Sequence, residues 1–491
     1  MFPFLSAMTL LLFGSLLAHA QNKTVAIQWD KPLIISRTTP TLQVVVNPML
    51  KRGSPIHEGS FSALANMNAD VVRFVPWFPY PHAAVAELKP PTATETFWDF
   101  SQADPIVQDF MSATAGHATV MNFSTTPAWM WKTAKPVDVP ADPGQVFWDY
   151  NPGRELRDTT MRELTGYFVR LFSWYTKGGF TDELGRFHAS PFHYAFPYWE
   201  VLNEPDLEHH ISPQLYTKMY DAIVTELKKI SPGTKFVGMS LASERDPEWF
   251  EYFLDPRHHQ PGVPPEGISY HFYARPSSAD QSPDGWQYSF FDQAEGFLDR
   301  VRYIESIRKR LAPGVFTQIN EIGVIIANRN YEGVIPEHYW NLAGAMYAYL
   351  YVQLSRMGID VAGESQLVGY PTQFPDVTMI DWKNGRPNAR YWALKLLRDH
   401  VGPGDTLLAT AVTAPEIAAQ AFAGPHGRQL LLINKRSKAV SLDLPAAFAG
   451  AAISYVDMTT GENPPAQGKL SGRTVQVAPF GVMIVSWPVH N

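Results

Sequence analysis

Between residues 41 and 402 of this 491-residue chain, eight short β-prone runs alternate with helical stretches, and few folds accept that rhythm. The runs are Leu42 to Val46, Asp70 to Val75, Ala118 to Phe123, Trp199 to Glu204, Lys235 to Met239, Gly267 to Tyr273, Val315 to Gly323 and Gly358 to Gly363. Several carry consecutive Val, Ile or Phe, as parallel strands covered on both faces do. Amphipathic stretches fill the gaps, including Leu156 to Tyr175, Phe291 to Leu311, Glu337 to Arg356 and Arg390 to His400. Another, opened by Ser212-Pro213, has an N-cap serine and a proline at the first helical position. Doubly wound open sheets share the alternation, but no Gly-rich phosphate loop follows the early strands. The expected fold is α/β, a (β/α)8 TIM barrel over residues 41–402.

The register changes after Gly402-Pro403-Gly404. From 403 to 491 short β-runs sit between Gly, Pro, Asn and Ser turns with no helical stretch, which predicts an accessory antiparallel β-sandwich. Residues 21–40 read as extended, with Val25, Ile27 and Trp29 alternating with polar residues, and are expected to join that sandwich. Ahead of them, Leu10-Leu11-Leu12-Phe13 and Leu16-Leu17 form an apolar core that ends in Ala18-His19-Ala20, a signal-peptide pattern over residues 1–20. Met1 to Leu17 holds no Lys or Arg, so the terminal amine alone supplies the positive flank. The expected location is secreted or periplasmic, with no membrane association after cleavage.

A net charge of −7 and a pI near 6.1 argue against a sequence-independent grip on nucleic acid. The chain has no cysteine, which removes disulfides and thiolate chemistry. His209-His210 and His258-His259 invite a metal reading, yet adjacent side chains rarely converge on one ion and no HExxH is present. No metal or cofactor is expected. Asn22-Lys23-Thr24 and Asn122-Phe123-Ser124 match the glycosylation pattern, the second on a buried strand.

Chemistry concentrates at two strand ends. Tyr198 to Asp206 is an aromatic run that arrives at Asn203-Glu204 and is stopped by Pro205. Val315 to Gly323 carries Glu321. These are the fourth and seventh strands, which face each other across a barrel mouth, where barrel enzymes keep their catalytic groups. A retaining glycosidase needs two carboxyl groups about 5–5.5 Å apart. In such a pair an ionised Glu321 raises the proton affinity of Glu204 and keeps it an acid. Glu200 and Asp206 flank the motif and are expected to point away from the cleft or cap the following segment. Trp77, Tyr80, Trp129, Trp131, Trp148 and Trp286 fall in expected loops on the catalytic face, where aromatic rings suit sugar faces.

Trp199-Glu200-Val201-Leu202-Asn203-Glu204-Pro205-Asp206 and Tyr270-His271-Phe272-Tyr273 resemble the clan A glycoside hydrolases, and within them glycoside hydrolase family 39, the β-xylosidase and α-L-iduronidase family. The resemblance covers residues 41 to 402. It implies Glu204 as acid/base, Glu321 as nucleophile, Asn203 on a substrate 2-hydroxyl, and Arg73, His271 and Tyr273 around the nucleophile. Many clan members end the eighth strand with a tryptophan under the sugar. Here the stretch is Glu364-Ser365-Gln366, with Trp382 only later. The resulting expectation is an exported retaining glycoside hydrolase acting on an oligo- or polysaccharide or a simpler glycoside. A carbohydrate-binding barrel without turnover and an inverting hydrolase or lyase stay open beside it. Xylosides and uronides both fit, and Arg275 is the candidate partner for a uronide carboxylate.

Overall fold

The computed structural model describes residues 23–150, 153–278, 281–326, 335–369 and 374–487. The expected signal peptide and the Asn22 acceptor lie outside the described residues.

The strands in chain order begin with β1 (Val25–Ile35), β2 (Thr39–Val46), β3 (Val71–Pro76), β4 (Ala118–Met121), β5 (Gly179–Thr181), β6 (Phe187–Ala189) and β7 (Tyr198–Glu200). They continue with β8 (Lys235–Leu241), β9 (Gly267–Ala274), β10 (Phe316–Val324) and β11 (Val361–Glu364). Strands β2, β3, β4, β7, β8, β9, β10 and β11 close in that order into a parallel barrel. Every residue of β2 is buried, because the strand has the barrel interior on one face and helices on the other.

Local sequence explains most of the helices. Pro213–Ile230 starts where the Ser212 side chain accepts the Leu215 N–H, with proline in the first turn. His57–Met67 ends on Asn68 in the left-handed conformation. Pro283–Leu311 is the longest at 29 residues and begins eight positions before the expected Phe291. Pro283 occupies the first turn there, so Trp286 is helical and buried rather than on a loop. A β5–β6 hairpin, absent from the sequence expectation, sits between Arg162–Thr176 and β7; its turn runs from Asp182 to Arg186 with Gly185 at φ 80°, and Gly178 and Gly179 lead into it at φ 74° and 129°.

The remaining strands are β12 (Thr406–Val412), β13 (Ile417–Gly424), β14 (Gly427–Asn434), β15 (Val440–Asp443), β16 (Ala452–Val456), β17 (Ala466–Lys469), β18 (Thr474–Val477) and β19 (Val482–Trp487). Seven strands form one sheet in the order β1-β12-β13-β14-β19-β16-β17, and β15 pairs with β18. Alternation decides which way each side chain faces. Leu431, Ile433, Val482 and Ile484 join the main core against the barrel, while Leu430, Leu432, Met483 and Val485 pack with Val440, Leu442, Val475 and Val477 in a second core. The large sheet is thus held between the barrel and the small sheet. Strand β1 runs antiparallel to β12, from Val25 opposite Val412 to Ile35 opposite Thr406.

Candidate active site

The base of the site is a buried ion network inside the barrel. Arg73 on β3 has five N–H donors and all are used. Nε donates to Glu200 Oε2 at 2.5 Å, Nη1 to Gln43 Oε1 and to Glu321 Oε1 at 2.6 Å, and Nη2 to Asn203 Oδ1 at 2.7 Å and Ser240 Oγ at 2.9 Å. Glu200 points into the barrel, not merely away from the cleft. Its two oxygens accept four bonds, from Arg73, Asn122, Ser269 and Asn320. A buried carboxylate is tolerated only with such satisfaction. Asn122, fully buried and bonded to Glu200, is therefore no surface acceptor for a glycan.

Glu204 lies beyond the end of β7, in a loop where Leu202 and Glu204 take φ of 62° and 42°. Left-handed non-glycine residues cost about 1–3 kcal/mol each and need support. Asn122 Nδ2 supplies it by donating to the Leu202 carbonyl at 3.0 Å, and the Glu204 N–H donates to the Ser240 carbonyl at 2.8 Å. Asp206 caps the chain after β8, accepting the N–H groups of Ala242 and Ser243 at 3.0 Å.

Across the mouth stands Glu321 on β10. A carboxylate oxygen of Glu204, one of Glu321 and a ring nitrogen of His271 lie within 4.8 Å of one another. His271 Nδ1 is 2.9 Å from Glu204 Oε1, and its Nε2 is 3.5 Å from Glu321 Oε1 and 3.1 Å from Ser240 Oγ. Tyr273 donates to Glu321 Oε2 at 2.7 Å. Burial drives the Glu204 pKa up, opposed by the hydrogen bond and charge of His271 and reinforced by Glu321. Burial pushes Glu321 the same way, but the charges of His271 and Arg73 and the hydrogen bonds from Tyr273 and Arg73 outweigh it, so Glu321 is held below the usual carboxylate range. The two glutamates are split into an acid and an anion.

The three converging donors could in principle ligate a cation. The Arg73 guanidinium already donates to Glu321 Oε1, however, and its positive charge beside that oxygen opposes the approach of a second cation. The histidine pairs are used otherwise. His209 is buried, held well down at about 4 by burial, and stacks on Trp131 at 4.4 Å. His259 is bonded to Asp221 and to the Phe253 carbonyl, and His258 stacks on Tyr252 at 3.9 Å.

No protein-family model matches the chain, and no curated protein matches it. Solved structures do match. The GH51 arabinofuranosidase from Xanthomonas axonopodis pv. citri superposes with a TM-score of 0.64 at 13% identity, over 94% of this chain and 99% of that one. A conserved exported protein from Bacteroides fragilis gives 0.64 at 12%, over 94% and 100%. A GH30 endoxylanase from Clostridium papyrosolvens C71 gives 0.56 at 11%, over 94% and 100%. The fold is one that glycoside hydrolases use. These neighbours carry families 51 and 30 in their names, so the likeness to family 39 rests on the motif alone.

The structure brings Asn203, Arg73, His271 and Tyr273 together with the two glutamates, as the motif implied. A cleft of about 170 Å³ opens above them, lined by both glutamates, Asn203, Trp77, Tyr273, Arg275, Gln366 and Phe374 among others. Trp148 backs Trp77 at 5.6 Å. Trp129 does not line this cleft, because its indole N–H is drawn to the Glu87 carbonyl at 2.9 Å. Trp131 is buried under His209, Tyr80 is buried in a small aromatic and aliphatic cluster, and Trp286 belongs to its helix. Glu364 pairs with Arg390 at 3.0 Å below the eighth strand, and burial pushes it to about 7 against the pull of Arg390. Trp382 packs on the main core.

Sequence reasoning missed Gln43, Ser240, Glu208, Ser365 and Gln366. Glu208 accepts from Asn203 Nδ2 at 3.0 Å and from the Trp77 indole, while Gln366, 4% exposed, has an Oε1 with no partner among the described residues. A signal existed for Gln43, a lone polar residue in an apolar run, since a buried strand carries such a residue only where it finds partners.

Proposed function

We propose that this chain is an exported retaining glycoside hydrolase that works by double displacement, with Glu321 as nucleophile and Glu204 as acid/base. One observation carries the reading: a Glu204 oxygen and a Glu321 oxygen lie within 4.8 Å at the mouth of a barrel, nearer than the roughly 6.5–9.5 Å that an inverting water needs. Glu321 attacks the anomeric carbon while Glu204 gives its proton to the departing oxygen. Glycosylation removes the charge on Glu321, Glu204 then loses its proton more easily, and it activates the water that releases the sugar. Arg73 and Tyr273 hold Glu321 in its ionised form before attack. The leader-like N-terminus and the exported neighbour support export.

The neighbours' names, arabinofuranosidase and endoxylanase, make aryl α-L-arabinofuranosides and β-D-xylosides the first substrates to test. Glu321→Ala is expected to abolish hydrolysis. Glu204→Ala is expected to slow poor leaving groups at least 100-fold more than activated ones, an estimate on the order of general-acid contributions. Proton NMR of the first-formed sugar should show retention of configuration. Wild-type activity in Glu321→Ala, or an inverted product, would overturn the assignment.

A further inference from the structure

Glu321 belongs to a closed circuit of hydrogen bonds in which Arg73 and Tyr273 already have a role and two further members do not. Arg73 Nη1 donates to Glu321 Oε1 and also to Gln43 Oε1. Gln43 Nε2 donates to Ser365 Oγ at 2.9 Å. Ser365 Oγ lies 2.6 Å from the Tyr273 hydroxyl, which donates to Glu321 Oε2 at 2.7 Å. All five residues come from different strands or strand ends: β3, β2, β11, β9 and β10. Gln43 and Ser365 are fully buried and Arg73 is 2% exposed, while Tyr273 is half-buried on the cleft wall.

Two groups fix the direction of the bonds in the circuit, a guanidinium that can only donate and an ionised carboxylate that can only accept. Gln43 must therefore turn its oxygen to Arg73, which leaves only its NH2 to face Ser365. The Ser365 oxygen accepts that bond, so its own hydrogen is free to go to the Tyr273 oxygen. Tyr273 gives its one hydrogen to Glu321, so toward Ser365 its oxygen accepts. Ser365 is itself held from behind: the Arg390 guanidinium, paired to Glu364, grips the Ser365 carbonyl. Chains of hydrogen bonds with one sense polarise one another and strengthen the last bond.

We infer that Gln43 and Ser365 are positioning residues that lock the Tyr273 hydroxyl as a donor to Glu321 and so keep that carboxylate ionised and oriented. Neither bonds to Glu321; Ser365 acts through Tyr273, and Gln43 acts through Ser365 and through Arg73. This rests on the reading of Glu321 as nucleophile. It adds the claim that the circuit, anchored by Arg73 on one oxygen of Glu321 and by Tyr273 on the other, holds both oxygens in one ordered set of bonds.

The test is a double-mutant cycle on Ser365→Ala and Tyr273→Phe, with melting temperature followed to confirm folding. Ser365→Ala should lower kcat roughly tenfold with KM nearly unchanged, the worth of a weakened hydrogen bond to a charged group. It should also raise the acid limb of the kcat/KM profile toward higher pH. In the Tyr273→Phe background the same substitution should add little, because the route is already cut. Effects that multiply, or an acid limb unmoved by Ser365→Ala, would overturn the inference. Gln43→Leu enters the circuit one bond earlier and should be less than additive with Ser365→Ala, the residue it bonds, and full additivity of that pair would count against the circuit. Carbon-13 titration of the Glu321 carboxyl, assigned by its disappearance in Glu321→Gln, reads the same coupling without turnover. An upward shift in Ser365→Ala would uphold the circuit even if no glycoside were hydrolysed, and an unshifted titration would sink it even if the enzyme were active.

Discussion

One proton decides what Glu204 and His271 can do. Ser240 Oγ accepts from Arg73 and donates to Asn203 Oδ1, so His271 Nε2 must bring its own hydrogen to Ser240. The other ring nitrogen then shares a single proton with Glu204 Oε1, carried either as imidazolium or as carboxylic acid. Burial lowers the proton affinity of His271, yet the charge of Glu321 and the hydrogen bond and charge of Glu204 raise it above its ordinary value. The sign of a substitution follows. Replacing His271 by Asn removes the opposition to burial at Glu204 and one of the charges that holds Glu321 down. Both carboxyl pKa values should rise, and both limbs of the kcat/KM profile should move to higher pH with a lower maximum. A profile that stayed in place, or whose limbs moved in opposite senses, would contradict this account.

Bulges in the strands put the site residues where they are. Between β9 and β10 the pairing steps from Ile319 opposite Tyr270 to Glu321 opposite His271, leaving Asn320 as an extra residue. Adjacent side chains of a regular strand face opposite ways, but across this bulge Asn320 reaches Glu200 and Glu321 reaches the cleft. A similar step between Met239 and Leu241 on β8, with Met239 and Ser240 at φ of 79° and 45°, turns Ser240 toward Arg73. Gly323 completes the arrangement: a Cβ there would lie 2.8 Å from the Tyr273 ring. Gly323→Ala is expected to displace Tyr273 and cut kcat about tenfold while moving the melting temperature little, checked by kinetics beside a thermal scan. These devices mark the limit of sequence reading. The strand count, Asn203-Glu204 and Glu321 were legible because a strand end has a pattern. Ser240 and Ser365 were not, because their direction depends on a bulge and on a loop that carry no composition signal. Trp129 and Trp286 were placed wrongly for a related reason: an aromatic near a strand end has no mark that separates cleft from packing.

At the scale of the molecule, the first described strand is part of the last sheet. Trp29 on β1 stacks with Phe448 at 6.3 Å and lies under the Arg428 guanidinium at 4.8 Å. Trp29→Ala is expected to lower stability by about 1–2 kcal/mol in chemical denaturation, from lost apolar contact and the cation–π pair, with kinetic constants unchanged. An altered kcat would mean that the sandwich communicates with the cleft. The Thr24 N–H reaches Thr413 Oγ1, 389 residues away in sequence. During synthesis, then, β1 emerges before the barrel and finds its partner only once residues 406–412 have been made. The barrel strands can pair as they appear, each with its neighbour in order, whereas the edge that β1 presents stays open throughout. Seating of β1 is a late, long-range event, and a chain cut short before β12 would carry β1 as a strand without its sheet neighbour.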